Sequence, residues 1–401
     1  MQYVFVLGGW DGQACRSNVA LYSPDGAPAG HLAPNAKNML SPRDALASAF
    51  VDDELLALGG HDGSNYLASC EIYTASTPGK GAFPTWTALP AMQTTRAFHA
   101  AAHVRRHVAV FGGQGSQSGI VGGYGEAPQR EASVLDAVEV LDLDSQRWLP
   151  SPSLPHPRTM LCGASCGGRV FAIGGRDGKF DYGSVHGSVF AWDLRQKNWE
   201  EVAPLQHDRF GCAAAVVDDS IYVFGGKDGA GVTLQTVERF DHRTGTWAWS
   251  EAMGNDRVFP QAVVMGSFVF VIAGHNRTSE VTEVEEWSHS TQRWRRIQHF
   301  RVHAMEEEIR QAESEIQTCT DDIYLLEQDV RLEEADKLRK LSLPLLQNRL
   351  TLAKVGKLRP WVGGPPRDSL LGMRHVSAQT VLPGSTVDLL RERARRAEQL
   401  A

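Results

Sequence analysis

No apolar run in these 401 residues approaches the roughly 18 that a membrane span requires. The opening Met-Gln-Tyr-Val-Phe-Val-Leu-Gly-Gly has no basic region, and its apolar stretch is too short for a signal peptide. Cysteine is scarce: six residues, none in a C-x-x-C arrangement. That argues against both a disulfide scaffold and a zinc site, and the expectation is a reduced, cytoplasmic protein. Positive charge is not in excess; the formal net charge of −7 excludes a dedicated nucleic-acid binder. What is present is ordinary for a folded chain with a substantial core, 42% apolar and 22% charged residues, with Gly (39) the one enrichment.

Charge divides the chain into three parts. Residues 1–300 carry a net −7, residues 301–336 a net −9 and residues 337–401 a net +9. The first part is a repeat. Gly-Gly doublets stand at 8–9, 59–60, 112–113, 174–175 and 225–226, with Ala273-Gly274 as a weakened sixth. Arg43, Arg96, Arg158, Arg209 and Arg257 each precede a doublet by 16 residues, and Trp86, Trp148, Trp199 and Trp247 each precede an Arg by 10. Leu141, Trp192, Phe240 and Trp287 stand seven residues before a Trp. Within each unit, short alternating runs such as Cys212–Val217 and Ile221–Phe224 are separated by Asp and Gly turns, the pattern of four short strands.

A four-stranded sheet repeated about every 50 residues fits the kelch class of β-propeller better than the WD40 class. The doublets, the G-G-x-D-G turns and the segment Thr236-Val-Glu-Arg-Phe-Asp resemble kelch repeats over residues 1–300, and are most similar to the Kelch-like substrate adaptors. The fold expected is all-β, a six-bladed propeller. Its first blade begins at Tyr3 inside its second strand, and ten residues past Trp294 the sequence turns helical instead of supplying the missing strand. Two expectations follow: a first blade lacking its innermost strand, or a chain shortened at its N-terminus.

Val302, Met305, Ile309, Ala312, Ile316, Cys319, Ile323, Leu326 and Val330 alternate steps of three and four, an a/d seam predicting a coiled coil over 301–343. Ile309, Ile316, Ile323, Leu326 and Val330 are its candidate homodimer contacts; the alternative is an amphipathic helix packed back on the propeller. Residues 344–401 read as a disordered basic tail with a short helix over 386–400.

Two sets of residues recur once per blade and so form rings. One is Arg43, Arg96, Arg158, Arg209 and Arg257. The other is the turn after each doublet: Trp10-Asp11, His61-Asp62, Arg176-Asp177, Lys227-Asp228 and His275-Asn276. The resemblance to Kelch-like adaptors implies that the arginines receive an acidic peptide; their recurrence in every blade equally fits a structural tie between blades. The Ser that often follows this Arg in that family is absent, with Asp44, Ala97, Thr159, Phe210 and Val258 in its place. The long third turn, Gln114–Gly125, lacks the Lys-Ser/Thr of a phosphate loop and reads as a partner-facing loop anchored by Tyr124. The repeat register places His99 and His103 on one strand and His107 after the Arg105-Arg106 turn, so the three are not expected to converge on a metal. No cofactor, metal or small-molecule substrate is expected. The function read from these residues is a non-enzymatic scaffold that binds a protein or peptide. The alternatives are a substrate-recognition subunit of a cullin-type ubiquitin ligase, if the N-terminus is shortened, and a cytoskeletal or cell-polarity scaffold.

Overall fold

The computed structural model describes residues 3–10, 14–22, 38–74, 85–116, 133–178, 183–279, 281, 283–297, 316–317, 320, 347 and 377–382. Blades 2 to 6 are antiparallel four-stranded sheets in simple up-and-down order. From the axis outward, blade 5 comprises Ala213–Val217, Ser220–Phe224, Val237–Asp241 and Thr246–Ser250. The innermost strands of blades 2, 3, 4 and 6 are Ala47–Val51, Ala100–Val104, Cys162–Cys166 and Gln261–Met265.

Local sequence explains the strands. The innermost strand alternates buried and half-buried residues, while the second strand, Ser220–Phe224, is packed on both faces and buried throughout. Asp218 and Asp219 join them with φ of +45° and +59°, the two left-handed residues of a type I′ hairpin whose twist matches that of the strands. Asp52 and Asp53 repeat this in blade 2. The outermost Trp stitches blade to blade: Trp148, Trp199, Trp247 and Trp294 donate Nε1–H to the carbonyls of Pro90, Pro152, Ala203 and Glu251 in the preceding blade. Apolar clusters fill every interblade space, including that between blades 6 and 1, where Val4 packs with Val263, Met265, Phe270, Ile272 and Val284.

The first blade departs from expectation. Its innermost strand is present, and it comes from the far end of the sequence. Ser377–Leu382 pairs antiparallel with Tyr3–Leu7, whose other neighbour is Val19–Tyr22. Val381 opposes Val4 and Leu382 opposes Tyr3; a bulge between Val4 and Phe5 then shifts the register, so that Ser377 opposes Leu7. The strand lies between the innermost strands of blades 6 and 2 and closes the ring. The region expected to be a disordered tail therefore contains the clasp, and residues 298–376 are an insertion tethered to the propeller at both ends. Within that insertion Ile316, Gln317, Thr320 and Gln347 are helical, with the Thr320 hydroxyl donating to the Ile316 carbonyl. Ile309, Ile323, Leu326, Val330 and residues 386–400 lie outside the described residues.

Candidate protein-binding face

Strand direction decides which loops share a face. Each innermost strand leaves one face, the second strand returns to it and ends on the doublet, and the outermost strand also ends there. The doublet turns and the loops carrying the arginines are therefore together, and the I′ hairpins are on the opposite face. Both sequence rings thus surround one channel mouth.

Within that mouth the two rings do different work. Arg43, Arg96, Arg209 and Arg257 have no accessible surface, and Arg158 is 3% exposed. Arg209 donates to the Gly225 and Thr236 carbonyls and, at 2.6 Å, to Glu238 on the third strand of its own blade. Arg43–Glu71, Arg96–Glu139 and Arg257–Glu285 repeat this pair at 2.6–2.7 Å. Each glutamate also accepts two backbone N–H groups from the loop leading to its Arg, as Glu238 does from Gln206 and His207. The Arg main chain faces the other way: the Gly226 N–H donates to the Arg257 carbonyl of the next blade at 2.7 Å. The first glycine of the doublet permits this approach, since a Cβ on Gly225 would lie 2.5 Å from that same carbonyl and its φ is +61°. A fully covered guanidinium cannot meet an incoming carboxylate. The arginine ring ties blades together, a correction to the peptide-binding role that the resemblance implied.

Blade 4 breaks the pattern. Phe190 occupies the glutamate position, and Arg158 sits 5.4 Å over its ring while donating to Ser188 Oγ at 2.6 Å. Pro155, which has no N–H to offer, stands in the loop where the other blades present a donor to the glutamate.

Two residues after each Arg the chain turns left-handed: φ is +50° at Ala45, +56° at Phe98, +55° at Met160, +60° at Gly211 and +58° at Phe259. These residues form a relay of backbone hydrogen bonds around the axis, Phe98 N–H to Ala45, Met160 to Phe98, Gly211 to Met160 and Phe259 to Gly211. Phe98, Met160, Phe210, Val258 and Phe259 cluster there as an apolar plug, with Tyr66 and Val185 half-buried against it. Below the plug the innermost strands line a cavity of about 110 Å³.

The second ring surrounds the plug. His61, Arg176, Lys227 and His275 each bridge to the residue that follows an Arg: Asp44, Thr159, Phe210 and Val258. His61 and Arg176 are mostly covered, the Arg176 guanidinium lying 4.9 Å over Phe210, whereas Trp10, Lys227 and His275 are half-buried. Burial lowers the His61 pKa to about 4, so its ring is neutral near pH 7. The neighbouring Asp side chains act as turn caps: Asp228 Oδ1 accepts from the Ala230 and Val232 N–H groups, and Asp62 Oδ1 from Ser64 and Asn65. Outside them, His186 lies 3.0 Å from Asp177 and His207 3.4 Å from Asp228. Tyr124 and Asp11 lie outside the described residues. Among the described residues no group of three or more His, Cys, Asp or Glu could hold a metal. His99 lines the central cavity, while His103 Nδ1 faces the Arg105 carbonyl.

Known proteins agree with this geometry. The family model described as the Kelch motif matches residues 42–93, 157–206 and 208–248, the units of blades 2, 4 and 5. Three blades of this chain are therefore kelch motifs. Kelch-like protein 36 of Rattus norvegicus is 26% identical over 153 residues, 38% of this chain and 25% of that protein. Kelch-like protein 41a of Danio rerio is 24% identical over 223 residues, 53% of this chain and 34% of that protein. Alpha-scruin of Limulus polyphemus is 27% identical over 140 residues, 34% of this chain and 15% of that protein. The kelch-repeat chain therefore matches only a quarter to a third of the two Kelch-like relatives. The solved structure of YjhT superposes with a TM-score of 0.54 at 14% identity, covering 66% of this chain and 86% of that one, a likeness of fold. No helix among the described residues is long and apolar enough to cross a membrane.

Proposed function

We propose that this kelch propeller is a non-enzymatic, cytoplasmic binding module that receives an acidic peptide or protein loop on the face bearing the doublet turns. The observation that carries this reading is the arrangement there: an apolar plug encircled by Arg176, Lys227 and His275, with Trp10 on the same ring. Lys227 is only half-buried, makes no ion pair among the described residues and supplies the accessible cation. Carboxylates of a partner meet Lys227, while an apolar side chain packs on Tyr66 and Val185. The 301–343 seam dimerises the chain, so that two such faces gain avidity on a multivalent partner. The sequence resemblance to Kelch-like substrate adaptors favours recognition of a ubiquitin-ligase substrate as the second reading; the a/d seam in the sequence favours a scaffold.

The test is an array of acidic, neutral and basic peptides probed with the full chain. Acidic peptides should bind, and Lys227→Glu should weaken them about tenfold or more with an unchanged melting temperature. Equal binding of basic peptides, or indifference to the substitution, would overturn the reading.

A further inference from the structure

Cys162 and Cys212 are 50 residues apart in sequence and belong to adjacent blades, yet their sulfurs are 3.1 Å apart. Cys162 opens the innermost strand of blade 4, and Cys212 immediately precedes that of blade 5. Both line the cavity of about 110 Å³ on the propeller axis, beside Ala100, Gly163 and Ala213. These small side chains leave room for an oxidant the size of water or hydrogen peroxide. We propose that Cys162 and Cys212 are a peroxide-reactive dithiol that forms a reversible disulfide between blades 4 and 5.

The geometry requires little movement. A disulfide holds its sulfurs about 2.05 Å apart, so rotation of the two side chains must close a gap of about 1 Å. The pair is also asymmetric. The two sulfurs share one hydrogen bond in which either can donate; with Cys162 as the donor, and with the charge of Arg209 beside it, the Cys212 thiol is held below its usual range while that of Cys162 is raised. Burial pushes Cys70 and Cys166 up to about 11, and Cys15 higher still, which leaves them poorer nucleophiles.

The chemistry balances with a hydroperoxide as oxidant. The Cys212 thiolate attacks one peroxide oxygen; the O–O bond breaks, hydroxide leaves and is protonated to water, and Cys212 becomes a sulfenic acid. The Cys162 sulfur then attacks the Cys212 sulfur and the S–O bond breaks. The departing hydroxyl takes the Cys162 proton as a second water. The net change is two thiols and hydrogen peroxide to one disulfide and two waters.

The experiment treats the full chain with hydrogen peroxide, alkylates remaining thiols in denaturant and maps tryptic peptides by mass. The expected product joins peptide 159–169 to peptide 210–227 with loss of two hydrogens, is cleaved by dithiothreitol and raises the melting temperature by several degrees. Peptide 159–169 also carries Cys166, so the same cross-link must survive in Cys166→Ser and vanish in Cys212→Ser. Full alkylation of both cysteines after peroxide, oxidation of Cys15 or Cys70 first, or a Cys212 sulfinic acid without the cross-link would overturn the proposal. The wild-type map decides the matter even if a variant fails to fold.

Discussion

At the scale of single residues, the arginine ring shows how the same side chain holds different weight in different blades. Arg209→Ala strands the fully buried Glu238 without its cation, and should cost about 3–5 kcal/mol. Arg158→Ala leaves Phe190 and Ser188, neither charged, and should cost about 1–3 kcal/mol. Urea unfolding of both variants checks the order, and equal losses would refute it. The histidines set an acid limit. Burial lowers His61 to about 4 and holds His99 well below its usual value, so both remain neutral when folded and take up a proton on unfolding. Stability is then full above about pH 6.5 and falls as pH drops from 6.5 towards 4, by about 3 kcal/mol for His61 alone. His99→Leu should flatten that fall, because blades 2 and 4 already place Leu46 and Leu161 at the corresponding position; unfolding midpoints between pH 4 and 8 measure it.

At the scale of elements, what is local was legible. The doublets, the Asp218-Asp219 hairpin and the Trp positions follow from spacings within one unit, and each appears where its spacing puts it. The Arg–Glu pairs were half legible. The V-E segment is visible in the sequence, but pairing it to an Arg some 28 residues earlier requires the third strand to be folded against the first. The Ser377–Leu382 strand was not legible from the repeat spacing, because it lies far beyond the position ten residues past Trp294 where that spacing places an innermost strand. Its signal was Arg374, which stands eight residues before Leu382, just as Arg43, Arg96, Arg158, Arg209 and Arg257 stand eight before Val51, Val104, Cys166, Val217 and Met265. The exposure of the turn residues after the doublets was not legible, since Lys227 and Arg176 hold equivalent positions in sequence and differ only in what packs over them. The weakened doublet gives an element-scale prediction. Ala273 holds φ at +58°, where a Cβ is strained, so Ala273→Gly should stabilise blade 6 by about 1 kcal/mol, read from the urea midpoint.

At the scale of the whole molecule, the clasp makes the two ends of the insertion unequal targets. Removing residues 298–401 deletes the innermost strand of blade 1 and bares the Tyr3–Leu7 edge, so the truncated protein should melt earlier and aggregate. Removing only 302–341 leaves the clasp strand joined by 39 residues, and should preserve the melting temperature while halving the mass of the proposed dimer by light scattering. A truncation that melts like the full chain would show that the clasp contributes nothing to stability.

The same clasp sets a timetable for biosynthesis. Strand Tyr3–Leu7 is made before every other strand of the propeller, and its partner is complete only when Leu382 has been added, 85 residues after blade 6 ends at Ile297. At about 5–20 residues per second the ribosome needs about 4–17 s to cover that distance. Throughout that interval five blades can be assembled while the first stands open, its unpaired N–H and C=O groups facing the crowded surroundings of the translating ribosome. The nascent chain is therefore most exposed to wrong partners just before the clasp strand is made, and a chaperone that covers one β-edge for a few seconds would serve it best.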